Sequence, residues 1–458
     1  MLPNAGSFWR SLGTVKVARP PDYNALVEGL SHQRLLTLLQ SGVSPERPDE
    51  YLHWDKLRQL QPPNGFSHEE WWFLIKWGRR QDLHPVPLED SEGQSFGYSV
   101  PDIVFRQLHY VDQRCSGEIA TSEVVTADEQ ARQHYLVNSL MEEAIRSSQL
   151  EGATTSRRVA KDLLRSGREP KDRSERMILN NYRGIQFMRE MGDTLTAEAI
   201  FELHRVLTLD TLDNPSAAGR LQAPDEERVA VLDSADGTVL HRPPPADQLP
   251  GRLAALCEFA NQPSDSEPFI HPVVRAILVH FWLAYDHPFE DGNGRTARAL
   301  FYWYLRTRGY WLVEYLSISR ILRDAPAQYG KSFLFTESDE RDMTYFLVYQ
   351  LNVIHRAVDE LQAYLNRKVK EIRDVERLMK GSPDFNHRQL AVLGHALRTP
   401  DQTYTFRSHA QSHGVTHETA RNDFMPLVDR GLLQRRRVRG TYQFRVPANL
   451  GTLLKRAH

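Results

Sequence analysis

Apolar residues recur near a 3.6-residue period from about 128 to 207, the pattern of helices that bury one face. Ala131 to Leu150 predicts one helix, which Gly152 ends, and residues 153–165 a second, short one. Arg173 to Glu190 places Ile178, Tyr182, Ile185 and Met188 at helical spacing, and residues 196–207 supply a fourth helix. Helices resume over 249–260. Pro272 to Tyr285 is apolar nearly all round, as a helix central to a core must be. Thr296 to Arg308 and the long amphipathic run Thr344 to Lys370 follow. Upstream, Ser67 stands three residues before Glu70, a capping-box spacing that starts a helix at His68. Residues 1–50 carry few apolar clusters and read as a mostly flexible lead-in. Residues 84–98 read as loop, and Val100 to Val111 as one or two extended pieces.

Two stretches depart from this rhythm. Val229–Asp233 and Thr238–Arg242 are short extended runs around the turn Ser234-Ala-Asp-Gly237, a hairpin inside a helical region. Such a hairpin can offer an unpaired edge to a partner. After the polar linker 379–383, Thr405 to Leu433 has a helix-turn-helix rhythm, with Gly414 at the turn and Thr416 as the cap of the second helix. Gln434 to Val446 then alternates like a small β-wing with Gly440 at its tip.

Composition narrows the class. The chain has 458 residues, 40% apolar and 25% charged, with a net charge of -2, so no global field draws it to nucleic acid or lipid. Its two cysteines, Cys115 and Cys257, exclude a thiolate-rich metal site and argue against a disulfide framework. The N-terminus does not read as a signal peptide and no apolar run reaches 18 residues, so a cytoplasmic protein without a membrane span is expected.

The segment His287-Pro-Phe-Glu-Asp-Gly-Asn-Gly-Arg-Thr-Ala-Arg298 specifies chemistry most narrowly. It follows one helix and enters another near Asn293 or Gly294. A helix N-terminus leaves backbone N–H groups unpaired, and Gly292 and Gly294 let a phosphate approach them. Asp291 suits Mg2+, which takes one or two carboxylates plus phosphate oxygens. Asn293 can donate to a phosphate, and Arg295 and Arg298 can neutralise polyphosphate charge. A neutral His287 is the obvious general base. Phe289 reads as an apolar anchor of the loop.

These residues match H-P-F-x-D-G-N-G-R-x-x-R at every fixed position, so the chain resembles the Fic family (Fic/DOC protein adenylyltransferases). The resemblance implies a mainly α fold, a Fic-like helical core with a β-hairpin flap. It also implies transfer of AMP from ATP to a Ser, Thr or Tyr hydroxyl of a protein, releasing pyrophosphate, with self-modification included. Under it His287 deprotonates the hydroxyl and Asp291 holds Mg2+. Gly292, Asn293, Gly294 and Arg295 bind the phosphates, and Arg298 binds the γ-phosphate. Ser147-Ser-Gln-Leu-Glu151-Gly152 resembles the family's inhibitory motif, which implies that Glu151 pairs with Arg298 and brakes the reaction. The flap, Thr238, Val239, Leu240, His241 and Arg242 above all, is expected to dock the target.

The expected division is a lead-in at 1–50, an extension packed on the core at 51–127, and a catalytic domain at 128–370. That domain holds the inhibitory helix near 135–151 and the flap near 229–242. A unit at 384–450 resembles a winged helix-turn-helix domain. Arg421, Arg435, Arg436, Arg437 and Arg439 give that unit a basic face, a candidate DNA footprint. Rival readings are an enzyme that removes AMP from a target, and a nucleotide-sensing DNA-binding regulator. The base preference, the target and the oligomeric state, a homodimer included, stay open.

Overall fold

The computed structural model describes residues 16–456 apart from 42–46, 48, 64, 117–128, 229–230, 233–238, 264, 381–383, 399–401 and 439–440. It is mainly α-helical, with three small antiparallel sheets. The chain divides into two compact units, residues 1–117 with 139–358, and residues 118–138 with 359–458. Among the described residues no helix is long and apolar enough to cross a membrane.

The first unit opens with α1 (Tyr23–Gly29), α2 (His32–Leu39), α3 (Trp54–Leu57) and α4 (His68–Asp82). The lead-in is therefore not all flexible: Asp22 and Ser31 cap α1 and α2. Leu26, Val27, Leu35 and Leu38 pack there with Phe73 and Leu74 of α4. The Ser67/Glu70 capping box is present. A hairpin follows, β1 (His84–Glu89) with β2 (Ser95–Tyr98), where a loop was expected. Val86 and Leu88 point inward, and the intervening prolines are tolerated because β1 pairs on one side only. The stretch expected to be extended is α5 (Asp102–Cys115), whose buried Val104, Leu108, Val111 and Cys115 recur at helical spacing.

The helices α6 (Glu129–Leu150), α7 (Arg157–Ser166), α8 (Arg173–Glu190) and α9 (Ala197–Thr208) follow the periodicity. The expected hairpin is β3 (Val231–Leu232) against β4 (Val239–His241), with Val231 opposite His241; Thr238 and the turn lie outside the described residues. Then come α10 (Leu249–Asn261), α11 (Pro272–Asp286), α12 (Asn293–Thr307), α13 (Ile318–Asp324), α14 (Pro326–Ser338) and α15 (Thr344–Lys380). Almost every side chain of α11 is buried, so it forms the axis of the core, as its unbroken apolar run requires. The helix α15 runs through Lys380, past the start of the expected linker.

In the second unit α16 (His387–Arg398), β5 (Thr403–Tyr404), α17 (Phe406–His413), α18 (His417–Asp429), β6 (Gln434–Val438), β7 (Thr441–Arg445) and α19 (Leu450–Arg456) enclose a separate core with Phe406, Phe424 and Phe444 at its centre. The sheet order is β5-β7-β6. Gly414 closes α17 in the left-handed conformation and Thr416 caps α18. Arg421, Arg435, Arg436 and Arg437 are exposed, whereas Arg439 lies outside the described residues. The Arg435 and Arg437 guanidinium groups lie over the Tyr442 ring, 5.2 and 5.7 Å from its centroid.

Candidate active site

The helix α11 stops because His287 turns left-handed, at φ 47° and ψ 52°, while its N–H donates to the Leu283 carbonyl. That conformation costs a non-glycine residue roughly 1 kcal/mol or more, and it persists only where the surroundings impose it. The His287 ring is buried, with Nδ1 3.3 Å from the Ala284 carbonyl oxygen. A carbonyl only accepts, so Nδ1 carries the proton and Nε2 keeps its lone pair. Burial, reinforced by nearby His241, lowers the His287 pKa to about 4, so the ring is a neutral base at pH 7.

The turn that follows is held from inside. Phe289 is fully buried and stacks on His204 at 3.9 Å. The His204 Nδ1 accepts from Gly219 N–H and Nε2 donates to the Asp291 carbonyl, which settles its tautomer. Burial lowers its pKa to about 4. The Asn293 side chain was expected to face a phosphate. Instead its Oδ1 accepts from Phe289 N–H at 2.9 Å and its Nδ2 donates to Phe289 O at 2.8 Å. Both ends of the amide are thus tied to the loop backbone, which fixes the turn.

Gly292 is the N-cap of α12 at φ 86° and supplies no side-chain cap. A Cβ there would lie 2.8 Å from Thr208 Cγ2. The helix entrance is thus closed from below and open toward a cavity lined by Glu151, His287, Asp291, Gly294, Arg298 and Tyr329, among others. A Cβ on Gly294 would stand 2.2 Å from Glu151 Oε1, so the carboxylate lies directly over this helix entrance.

The two arginines part company. Arg298 donates from Nη2 to Glu151 Oε1 at 2.8 Å and from Nε to Ser147 Oγ at 3.0 Å. Burial, the largest single influence, would lower its pKa, but the charge and hydrogen bond of Glu151 together with the nearby Tyr329 and Glu143 raise it. Arg295, expected at the phosphates, turns away and donates to the Leu207 carbonyl at 2.8 Å. The α9 carbonyl end lies on that side of α12, so a residue one turn back meets a different neighbour.

Glu151 arrives by a local device. Gly152 adopts φ 93°, Ala153 N–H reaches Ser148 O, and Gly152 N–H reaches Gln149 O. These are the paired bonds of a Schellman ending, which make Glu151 the C-cap of α6. Two turns earlier, buried Glu143 accepts from Ser317 Oγ, Ser319 N–H and Ser319 Oγ, which fastens α6 to the N-cap and first turn of α13. Burial raises the Glu143 pKa.

Asp291 lines the cavity, accepting from Gly292 N–H through Oδ1, with Oδ2 3.6 Å from Arg295 Nη2. Among the described residues no cluster of three or more His, Cys, Asp or Glu could hold a metal. A single carboxylate lining the cavity would suit Mg2+ where phosphate and water supplied most of the other ligands.

The flap side chains divide. Val239 and Arg242 are exposed, but His241 is buried, with Nε2 donating to Tyr285 O and Nδ1 to the Glu337 carboxylate, both at 2.8 Å. Its ring therefore does not face a docked target. The sequence reading also gave no role to Arg228, Tyr329, Phe333 or Glu143. Tyr329 and Phe333 belong to α14 and reach the cavity only through the tertiary fold. Arg228 stood in a polar run with nothing to single it out.

Residues 194–305 match the family model described as Fic/DOC family. The chain is 33% identical over 111 residues to the Protein adenylyltransferase Fic of Nematostella vectensis, covering 24% of this chain and 23% of that protein. To its Drosophila melanogaster namesake it is 44% identical over 63 residues, 13% of each. The matches thus span about a quarter or less of these relatives' length. Among solved structures, a Fic family protein from Desulfovibrio desulfuricans G20 aligns at 18% identity and a TM-score of 0.47, over 75% of this chain and 94% of that one. A domain of the Fic/DOC family is present in this chain, with its core at residues 194–305.

Proposed function

We propose that this protein is an autoinhibited protein adenylyltransferase. It transfers AMP from ATP to a side-chain hydroxyl of a protein, its own included. The observation that carries the reading is one cavity holding a neutral His287, an uncapped helix entrance and Arg298, with the Glu151 carboxylate over the entrance and paired to Arg298. His287 Nε2 takes the proton as the target oxygen attacks the α-phosphorus. A P–O bond forms to the target, the Pα–O bond toward the β-phosphate breaks, and pyrophosphate leaves with the bonding electrons. Positioning and charge neutralisation carry most of such a reaction. The backbone N–H groups from Asn293 onward and the Arg298 guanidinium supply them here. Asp291 would hold Mg2+, which when bound neutralises phosphate charge. Glu151 opposes the reaction because one carboxylate and one phosphate compete for the same guanidinium. Family likeness over 194–305 supports the reading, and the paired Glu151 and Arg298 support the brake.

The test is transfer of label from α-32P ATP with Mg2+ to the purified protein, comparing wild type, E151G and E151G/H287A. Labelling that rises in E151G and vanishes in E151G/H287A is expected. Silence in all three, with ATP still bound, would favour the nucleotide-sensor or AMP-removing reading.

A second reading concerns the C-terminal unit. Between residues 384 and 458 twelve Lys and Arg face five Asp and Glu, in a chain whose net charge is -2. The arginines on β6 beside Tyr442 support duplex DNA as a partner of this unit. Binding that weakens steeply with salt and is lost in R435A/R437A is expected; salt-independent behaviour would remove it.

A further inference from the structure

A helix C-terminus leaves its last carbonyls without intrahelical donors, and buried ones must find donors elsewhere. At the end of α11 the accounting is complete. The Leu283 oxygen accepts from His287 N–H and the Ala284 oxygen faces His287 Nδ1. The next three donors come from the hairpin. The Tyr285 oxygen accepts from His241 Nε2 at 2.8 Å, the Asp286 oxygen from Arg228 Nη2 at 2.7 Å, and the His287 oxygen from Arg228 Nη1 at 3.2 Å. Arg228 lies just before β3 and His241 ends β4, so the donors sit on opposite legs of one hairpin. Arg228 Nε also donates to Pro244 O at 2.9 Å, tying the legs together at their base. Both His241 nitrogens face acceptors, a carbonyl and the Glu337 carboxylate, so its ring is held as the imidazolium.

We propose that Arg228 and His241 are positioning residues that make the hairpin and the base one mechanical piece: by capping three consecutive carbonyls they hold His287 left-handed, with Nδ1 on Ala284 and Nε2 free. The inference rests on the reading of His287 as base and extends it. Neither residue lines the nucleotide cavity, so each acts through His287 and not on ATP. The hairpin then does more than offer an edge. Its seating on α11 aims the base, and a target pairing with that edge and the base that receives its proton are set by the same hydrogen bonds.

The experiment places R228M, R228K and H241L in the E151G background and measures self-labelling rate, Mg-ATP affinity and melting temperature. The His287 tautomer is read separately by 15N-histidine NMR. A lost clamp is expected to cut kcat about a hundredfold, the cost of a ~1 Å misplacement, with ATP affinity held within about twofold. R228K, which keeps a donor, should recover part of the loss. The His287 Nδ1–H signature should persist in E151G and be averaged away in R228M and H241L. Unchanged kcat with an unchanged His287 signature overturns the proposal. So does a loss of rate matched by parallel losses of ATP affinity and melting temperature, which a merely structural role would give. If E151G itself does not label, the adenylyltransferase reading fails, and the NMR signature alone still decides whether the hairpin orients His287.

Discussion

Two helix entrances in this protein are built in opposite ways. The helix α18 begins at Thr416, whose hydroxyl accepts from Thr419 N–H at 3.1 Å, so the donors at that end are used by a residue three positions away. The helix α12 begins at Gly292, which offers no side chain, and what stands over its first turn is Glu151, from far away in the sequence. A local cap forms with the helix and stays. A distant carboxylate can be withdrawn, and the entrance beneath it then opens. An entrance left without a local cap inside a packed core is thus a sign of an exchangeable occupant.

Several changes would break or sharpen this contrast. The largest belongs to the base: H287A in the E151G background should lower labelling about a thousandfold, the scale of a lost general base, with ATP still bound. Next, R298A combined with E151G should fall roughly a hundredfold below E151G alone, since both remove partners of one site; equal activity in the two would end the competition between Glu151 and phosphate. The pH response is third. Because the His287 pKa is lowered to about 4, the ring stays unprotonated as the pH falls through its ordinary 6.5. The acid limb of kcat/KM in E151G should lie near pH 4, and a limb at 6.5 would mean that His287 is solvated. G294A follows. Its new methyl group meets the Glu151 carboxylate, so it should destabilise the wild type by about 2 kcal/mol and E151G by much less, a coupling that a thermal double-mutant cycle reads. The smallest effect is T416A, which should cost about 1 kcal/mol in the C-terminal unit and leave labelling unaltered.

How far the sequence could be read follows the same division between local and distant causes. Helices α8, α9 and α11 were legible because periodicity is a local property, and so was the Ser67 capping box. The segment 287–298 was legible because its groups are contiguous. The hairpin β1–β2 was hidden by its prolines, and α5 by a short apolar stretch that fits either period. The separate fates of Arg295 and Arg298 could not be seen. Residues three apart share a helix face, and only the placement of Leu207 and of Glu151 decides which way each guanidinium turns. Asn293 looked like a phosphate donor because nothing in its neighbourhood announces that Phe289 takes both ends of its amide.

Glu143, Ser147 and Glu151 are spaced four apart on α6 and so form one stripe. The first is fastened to Ser317 and Ser319, and the other two grip Arg298. At 1.5 Å per residue the two carboxylates are about 12 Å apart along the axis, with rigid backbone between them. The stripe is therefore a ruler with its zero at Glu143. Inserting a single residue between 143 and 151 would swing Glu151 about 100° around the helix while leaving residues 287–298 in place, so its pairing with Arg298 depends on length and angle as much as on charge.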